Sequence, residues 1–137
     1  ILLKVSQRGN NMFYEQDWLG RQIQMLVRFV AKTVFKKDTD EFTELIEKSA
    51  SGADILYKEL LVFLQAGEIC KAENYLYDSI DAGNKYHFAV AVEFYSVLNK
   101  MSDEELERYN FSREEIKDGL KNISSVFGVG FADEFLD

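Results

Sequence analysis

The side chains that most often perform catalysis are scarce in this sequence. It contains one cysteine, Cys70, and one histidine, His87, which lie seventeen residues apart. A Cys–His nucleophilic pair requires the two side chains to lie within hydrogen-bond distance. Cys70 falls beside the apolar stripe of a predicted helix, where a buried structural thiol is expected. His87 is expected to be a packed or surface residue.

Metal and phosphate sites lack their usual ligand patterns. Zinc sites need clustered cysteines and histidines, and carboxylate-bundle metal sites need two Glu-x-x-His pairs. Gly128 and Gly130 follow a predicted helix instead of opening one, so they do not form a phosphate-binding loop. We therefore predict no catalytic residue, no metal site and no cofactor, and a protein that is not an enzyme.

Carboxylates are abundant, but their spacing indicates solvated helix faces. Glu41, Glu44 and Glu47 repeat every three residues along one short predicted helix. A second group occupies first turns and exposed faces, where negative charge complements the helix dipole: Glu104, Glu105, Glu107, Glu114, Glu115 and Asp118. No loop has EF-hand spacing.

Several aromatic residues could instead line a groove for a small ligand. They are Tyr75, Tyr77, Tyr86, Phe94 and Tyr95. Aromatic residues at helical spacing more often belong to the core. A small-ligand-binding or regulatory helical domain is therefore the alternative function.

The composition is that of a single folded domain. The chain has 137 residues, 47% of them hydrophobic, and a formal net charge of −8. Proline is absent, which helical proteins tolerate best. We predict a flexible or extended N-terminal arm over residues 1–11, with Met12 as the candidate initiator, and a single all-helical domain over residues 12–137. A lone cysteine fits a reducing cytosol, and no apolar run is long enough to span a membrane, so a cytoplasmic location is predicted.

Helix signals follow one another along the chain. The first predicted helix has Asp17 as its N-cap, Lys36 and Lys37 in its last turn, and a core stripe at Leu19, Ile23, Leu26, Val30 and Val34. Capping boxes open later helices at Ser51–Asp54, Ser102–Glu105 and Ser112–Glu115. The segment from Lys85 to Lys100 is apolar nearly all round, which predicts the central helix. Together these signals predict an all-α bundle of six or seven helices.

Two of these helices form a hairpin that resembles a tetratricopeptide repeat. The spacings of that repeat are met by Leu56, Phe63, Gly67, Ile69, Ala72 and Leu76. Leu60 replaces the small residue of the repeat, and Ser79 replaces its later alanine. The hairpin is thus either one degenerate repeat or an ordinary helical hairpin. The segment DWLGRQIQMLVRFVAK, beginning at Asp17, resembles the start of a bacterial family of small helical, tetratricopeptide-like proteins of unknown function. The resemblance implies a fold and no activity.

The first helix is the most individual stretch of the chain. Between Trp18 and Lys37 it carries five basic residues and no acidic residue. On a helical wheel, four of the cations fall within about 80° of one another: Arg21, Arg28, Lys32 and Lys36. Beside them, a second apolar stripe consists of Trp18, Met25 and Phe29.

Three interpretations compete for this helix. It can be sandwiched by the rest of the chain, which from Asp38 onward has nine basic and 22 acidic residues, a net charge of −13. It can form a homodimer or partner interface, in which Trp, Met, Phe and Arg are enriched. It can bind anionic lipid or nucleic acid, against which the overall acidity argues.

We predict a non-catalytic protein-interaction or scaffold domain that forms a homodimer or binds a protein partner, with no nucleic acid or membrane involved. The predicted interaction surface consists of Trp18, Arg21, Met25, Arg28, Phe29 and Lys32.

Overall fold

The computed structural model describes residues 17–49 and 51–129, and the fold within them is all-α. Of these residues 79% are helical and none belongs to a strand. Helix α1 covers residues 17–30 and continues as a π-helical turn, Ala31–Phe35; a 3-10 turn, Thr39–Glu41, then leads into α2. The remaining helices are α2 (Phe42–Lys48), α3 (Ala53–Gln65), α4 (Ile69–Ser79), α5 (Lys85–Asn99), α6 (Asp103–Arg108) and α7 (Arg113–Val126). The predicted fold class is confirmed, whereas the predicted arm over residues 1–11 lies outside the described residues.

Helix α5 is the centre of the bundle. Every side chain from Phe88 to Tyr95 is buried, and so is Leu98. The helix packs against α7, α3 and α2. Its nearly uniform apolar sequence is explained by these neighbours, because a helix enclosed on several sides has no wide solvent face.

The hairpin of α3 and α4 turns at Gly67. This residue has φ +74°, and the Glu68 N–H donates to the Phe63 carbonyl over 2.9 Å. A Cβ at Gly67 would lie 2.7 Å from Cε1 of Tyr109. Both the left-handed backbone and the close ring therefore require glycine at the predicted corner.

Two of the three predicted capping boxes begin helices as expected. The Ser102 hydroxyl accepts from the Glu105 N–H, and Ser112 and Glu115 cap each other reciprocally. The box predicted at Ser51–Asp54 is wrong, because the N-cap of α3 is Gly52 in the left-handed region at φ +81°. The Ser51 hydroxyl instead donates to Ser49 Oγ.

Both predicted ends of the first helix need correction. Asp17 is itself helical, so it is not the N-cap, and its carboxylate pairs with Arg21. Lys36 adopts the left-handed conformation at φ +58° and terminates the π-helical turn by donating its N–H to the Ala31 carbonyl. Lys36 therefore lies beyond the helix and does not extend the basic stripe.

None of the helices within residues 17–49 and 51–129 has both the length and the apolar character needed to cross a bilayer.

Candidate functional site

The inner face of α1 fixes which side of the helix meets solvent. Leu19, Ile23, Leu26 and Val30 are all buried, as the helical spacing predicts. Val27 and Ala31 widen this inner face and are buried too. Because these residues anchor α1 on the bundle, the opposite side must point away from the core.

The second apolar stripe lies on that opposite side. Trp18 is 55% exposed, Met25 is 58% exposed and Phe29 is 39% exposed. Among the described residues, only three other large hydrophobic side chains are comparably exposed: Ile55, Val62 and Val126. The exposure argues against the interpretation in which the rest of the described chain sandwiches the helix.

Four of the six predicted surface residues line one shallow groove. Met25, Arg28, Phe29 and Lys32 line an open depression of about 330 Å³. The lining is almost entirely apolar, which implies that the aliphatic stems of Arg28 and Lys32 contribute to it beside Met25 and Phe29. The structure thus brings the apolar and basic stripes together on one shallow, open surface. We call this surface, with Trp18 and Arg21 beside it, the α1 face.

The cations of the α1 face differ in their partners. Arg21 pairs with Asp17, and Lys32 pairs with Asp38, each over 2.9 Å. The hydrogen bond to Asp38 and the charge of that carboxylate raise the pKa of Lys32 above its ordinary value. Within the part of the chain that the structure describes, Arg28 forms no ion pair. Arg28 is therefore the cation of the α1 face most available to a partner.

Carboxylates converge at the corner between α1 and α2. Asp38, Asp40 and Glu41 can bring one oxygen each to within 4.8 Å of one another. Lys32 Nζ lies 2.9 Å from Asp38 Oδ1, and Lys37 Nζ lies 3.9 Å from Glu41 Oε2. The two lysines therefore neutralise part of the negative charge of the cluster. Asp38 N–H also donates to Glu41 Oε1. The cluster is explained as a charged helix corner, and the bridge from Lys32 was not predicted from the sequence.

The prediction of a buried Cys70 is wrong, because its side chain is exposed. The core-facing residues of α4 are Ile69, Ala72 and Leu76. Cys70 follows Ile69 directly, and a step of one residue turns the side chain by about 100°. His87 is half-buried, and its Nδ1 accepts the Asp81 N–H over 2.9 Å. The histidine thus stabilises the connection between α4 and α5. No hydrogen bond joins His87 to Cys70.

A polar cleft between Gly20 of α1 and Asn99 is built around Arg113. Its Nη1 donates to the carbonyl and the side-chain oxygen of Asn99, its Nη2 to the Met101 carbonyl and its Nε to Asp103. The Asn99 amide in turn donates to the Gly20 carbonyl of α1. These bonds occupy the buried guanidinium, so Arg113 serves as a clamp between helices.

The sequence did contain a signal for this clamp. Arg113 opens α7, where the helix dipole disfavours a cation. A basic residue at that position therefore suggests partners elsewhere in the fold.

The aromatic residues that could have lined a ligand groove belong to the core or pack against it. Phe94 and Tyr95 are buried. Tyr95 donates to Glu73 over 2.6 Å, and Tyr77 donates to the Gly119 carbonyl over 3.3 Å. Burial, together with the hydrogen bonds of its hydroxyl to Glu73 and Tyr77, raises the pKa of Tyr95 far above its ordinary value. A Cβ at Gly119 would collide with the Tyr95 ring, so the network also depends on this glycine.

Comparison with known proteins identifies a family without supplying an activity. Residues 13–128 match a family of unknown function, DUF6483. No curated protein and no solved structure matches the chain.

Proposed function

We propose that this chain, which belongs to the DUF6483 family of unknown function, is a non-catalytic protein-interaction or scaffold domain that binds a protein through the α1 face. The observation that carries the proposal is the exposure of Trp18 and Met25 on a helix whose other side is anchored in the core. Covering a large apolar side chain is worth roughly 1.5–3 kcal/mol, so the α1 face favours association.

The residue types of the α1 face support a protein partner. Trp, Met, Phe and Arg are enriched at protein interfaces, and Trp and Arg are frequent among the residues that dominate binding energy. The net charge of −8 opposes binding to phosphates of nucleic acids or anionic lipids. The partner can be a second copy of the chain, giving a homodimer, or a different protein. A cytoplasmic location belongs to the same proposal.

The α3–α4 hairpin supports the finer proposal of a degenerate tetratricopeptide repeat in a bacterial family. Its corner glycine, Gly67, has the required left-handed backbone, and Ala72 and Leu76 are fully buried. Leu60 is also fully buried, at the position where the repeat carries a small residue.

Site-specific photocross-linking in the source cells tests the interaction function. A benzophenone amino acid replaces Met25 in one variant and Val62 in a matched control, since Val62 is 65% exposed on α3. We expect a discrete protein adduct from position 25 that position 62 does not give. Equal or absent protein adducts at the two positions would contradict the proposal.

A further inference from the structure

We infer that the protein bound by the α1 face presents an acidic, amphipathic helix, and that Arg28 recognises a carboxylate on it. The inference rests on the proposed function and names the chemistry of its partner. Its ground is charge complementarity, because the α1 face carries three cations, Arg21, Arg28 and Lys32, and no acidic residue. Met25 and Phe29 supply apolar surface to the same groove as Arg28 and Lys32. An occupant must therefore offer apolar side chains and negative charge together.

The shape of the α1 face favours a helix over an extended strand. From Trp18 to Lys32 the face follows fourteen steps of a helix, about 21 Å at 1.5 Å per residue. A helix satisfies its own backbone groups, so its side offers no row of N–H and C=O groups to which a strand could add. Side chains packed as ridges against grooves are the mode of contact that the side of a helix offers best, and that mode joins two helices.

The charges within the chain leave room for a partner's carboxylates. Arg28 has no ion pair among the described residues, and its guanidinium can bind a carboxylate through two parallel hydrogen bonds. The Arg21–Asp17 and Lys32–Asp38 pairs are largely exposed. Exposed pairs of this kind are weak and screened by water. Carboxylates of a partner can therefore also form ion pairs with Arg21 and Lys32.

A second copy fits the α1 face less well than an acidic partner. A two-fold axis would place the same surface on both sides, so arginines and lysines would face arginines and lysines. The copy would have to cross at an offset to bring its own carboxylates within reach. A separate acidic helix meets no such repulsion.

A peptide-display selection tests the inference. Libraries of helix-forming peptides with randomised surface positions are selected on the wild-type protein and on an Arg28→Glu/Lys32→Glu variant. Lys58→Glu is the matched control, because Lys58 is an exposed lysine of α3 and is not one of the residues of the α1 face. Trp18 is the single tryptophan of the chain, so its fluorescence reports docking on the face directly.

We expect peptides selected on the wild-type protein to be enriched in Asp and Glu beside apolar residues. The Arg28→Glu/Lys32→Glu variant should bind them about tenfold more weakly and select basic peptides instead, whereas Lys58→Glu should change neither result. Binding to the wild-type protein should weaken as salt rises, since exposed charges are screened. Unchanged thermal unfolding of each variant shows that the fold is retained.

Other outcomes overturn the inference and separate it from the proposed function. Selection of neutral or basic peptides, with binding that Met25→Asp abolishes, would refute the acidic partner. The same result would still support protein binding by the α1 face. A dimer in light scattering that Met25→Asp dissociates and Val62→Asp does not would assign the face to a second copy. Binding to phosphatidylserine vesicles that Arg28→Glu/Lys32→Glu removes would assign it to a membrane surface. Failure of every peptide, together with absent cross-links at position 25, would remove both proposals.

Discussion

Glu93 is a buried carboxylate in the middle of the apolar central helix. Its side chain is 7% exposed, and burial raises the pKa of the carboxyl above its ordinary value. Lys100 partly opposes this shift. Glu73 behaves in the same way, because burial raises its pKa although a hydrogen bond from Tyr95 opposes the change. Each folded carboxyl therefore holds its proton at a higher pH than the unfolded chain does.

The sign of the stability effect follows from proton binding. An unfolded glutamate has a pKa of about 4.3, and between that value and the raised folded value the folded state binds more protons. The free energy of unfolding therefore falls as pH rises through this interval and stays lower above it. We expect Glu93→Gln to raise the free energy of unfolding at neutral pH by on the order of 1 kcal/mol. Urea denaturation of both proteins measures the difference.

The gain from Glu93→Gln should shrink as the pH is lowered from the folded pKa to the unfolded pKa, and it should vanish below the unfolded pKa, where the wild-type carboxyl is neutral in both states. Asp118→Asn is the control, because Asp118 lies midway along α7 and its side chain is exposed to solvent. Destabilisation by Glu93→Gln at neutral pH would show that the charged carboxylate has favourable partners in the fold.

Arg113 joins four segments of the bundle. Its guanidinium binds the last residue of α5, the carbonyl of Met101 and the first residue of α6, and Asn99 extends the network to Gly20 on α1. The short helix α6 is six residues long, too short to be stable by itself. Its position therefore depends on contacts such as this clamp.

We expect Arg113→Lys to lower the free energy of unfolding by roughly 2–4 kcal/mol. An ammonium keeps the charge but cannot direct donors to Asn99, Met101 and Asp103 at once, and buried acceptors without donors are costly. Thermal or urea denaturation measures the loss, and hydrogen exchange should show earlier opening of α6. Arg108→Lys, at the exposed end of the same helix, is the control and should be close to neutral. An Arg113→Lys change as small as that of the control would refute the clamp.

At the scale of the whole molecule, excess negative charge works against the compact state. The net charge is −8, and the segment from Asp38 onward has a net charge of −13. The ion pairs seen in the described residues are mostly exposed and weak. Self-repulsion of the acidic surface should therefore outweigh the attraction within single pairs.

We expect the Tm to rise by a few degrees when NaCl is raised from about 0.02 M to about 0.5 M, because the Debye length falls and screens the repulsion. Differential scanning calorimetry at a fixed neutral pH measures the shift. Chloride is chosen because sulfate strengthens burial by exclusion from the surface. A fall in Tm with added NaCl would show that local ion pairs, such as Lys32–Asp38, dominate instead.

The sequence by itself determined the all-α class, the inward side of the first helix and the starts of two later helices. The spacing of Leu19, Ile23, Leu26 and Val30 predicted the buried side of α1, and the Ser112–Glu115 box predicted the start of α7. These features are local, since residues three and four apart share a helix face and a cap acts within one turn. For the same reason, the stripe of Trp18, Met25 and Phe29 could be drawn before any fold was known, whereas its exposure comes from the structure.

Only the tertiary structure decided how distant elements meet. It joined Arg113 to Asn99 and Met101, brought Gly119 against Tyr95 and set Asp38 beside Lys32. None of these contacts follows from periodicity, because each depends on the rotation of a helix or on the approach of residues from separate elements. The spacing of side chains specifies the apolar face of a helix. The element against which that face packs is decided by packing in three dimensions.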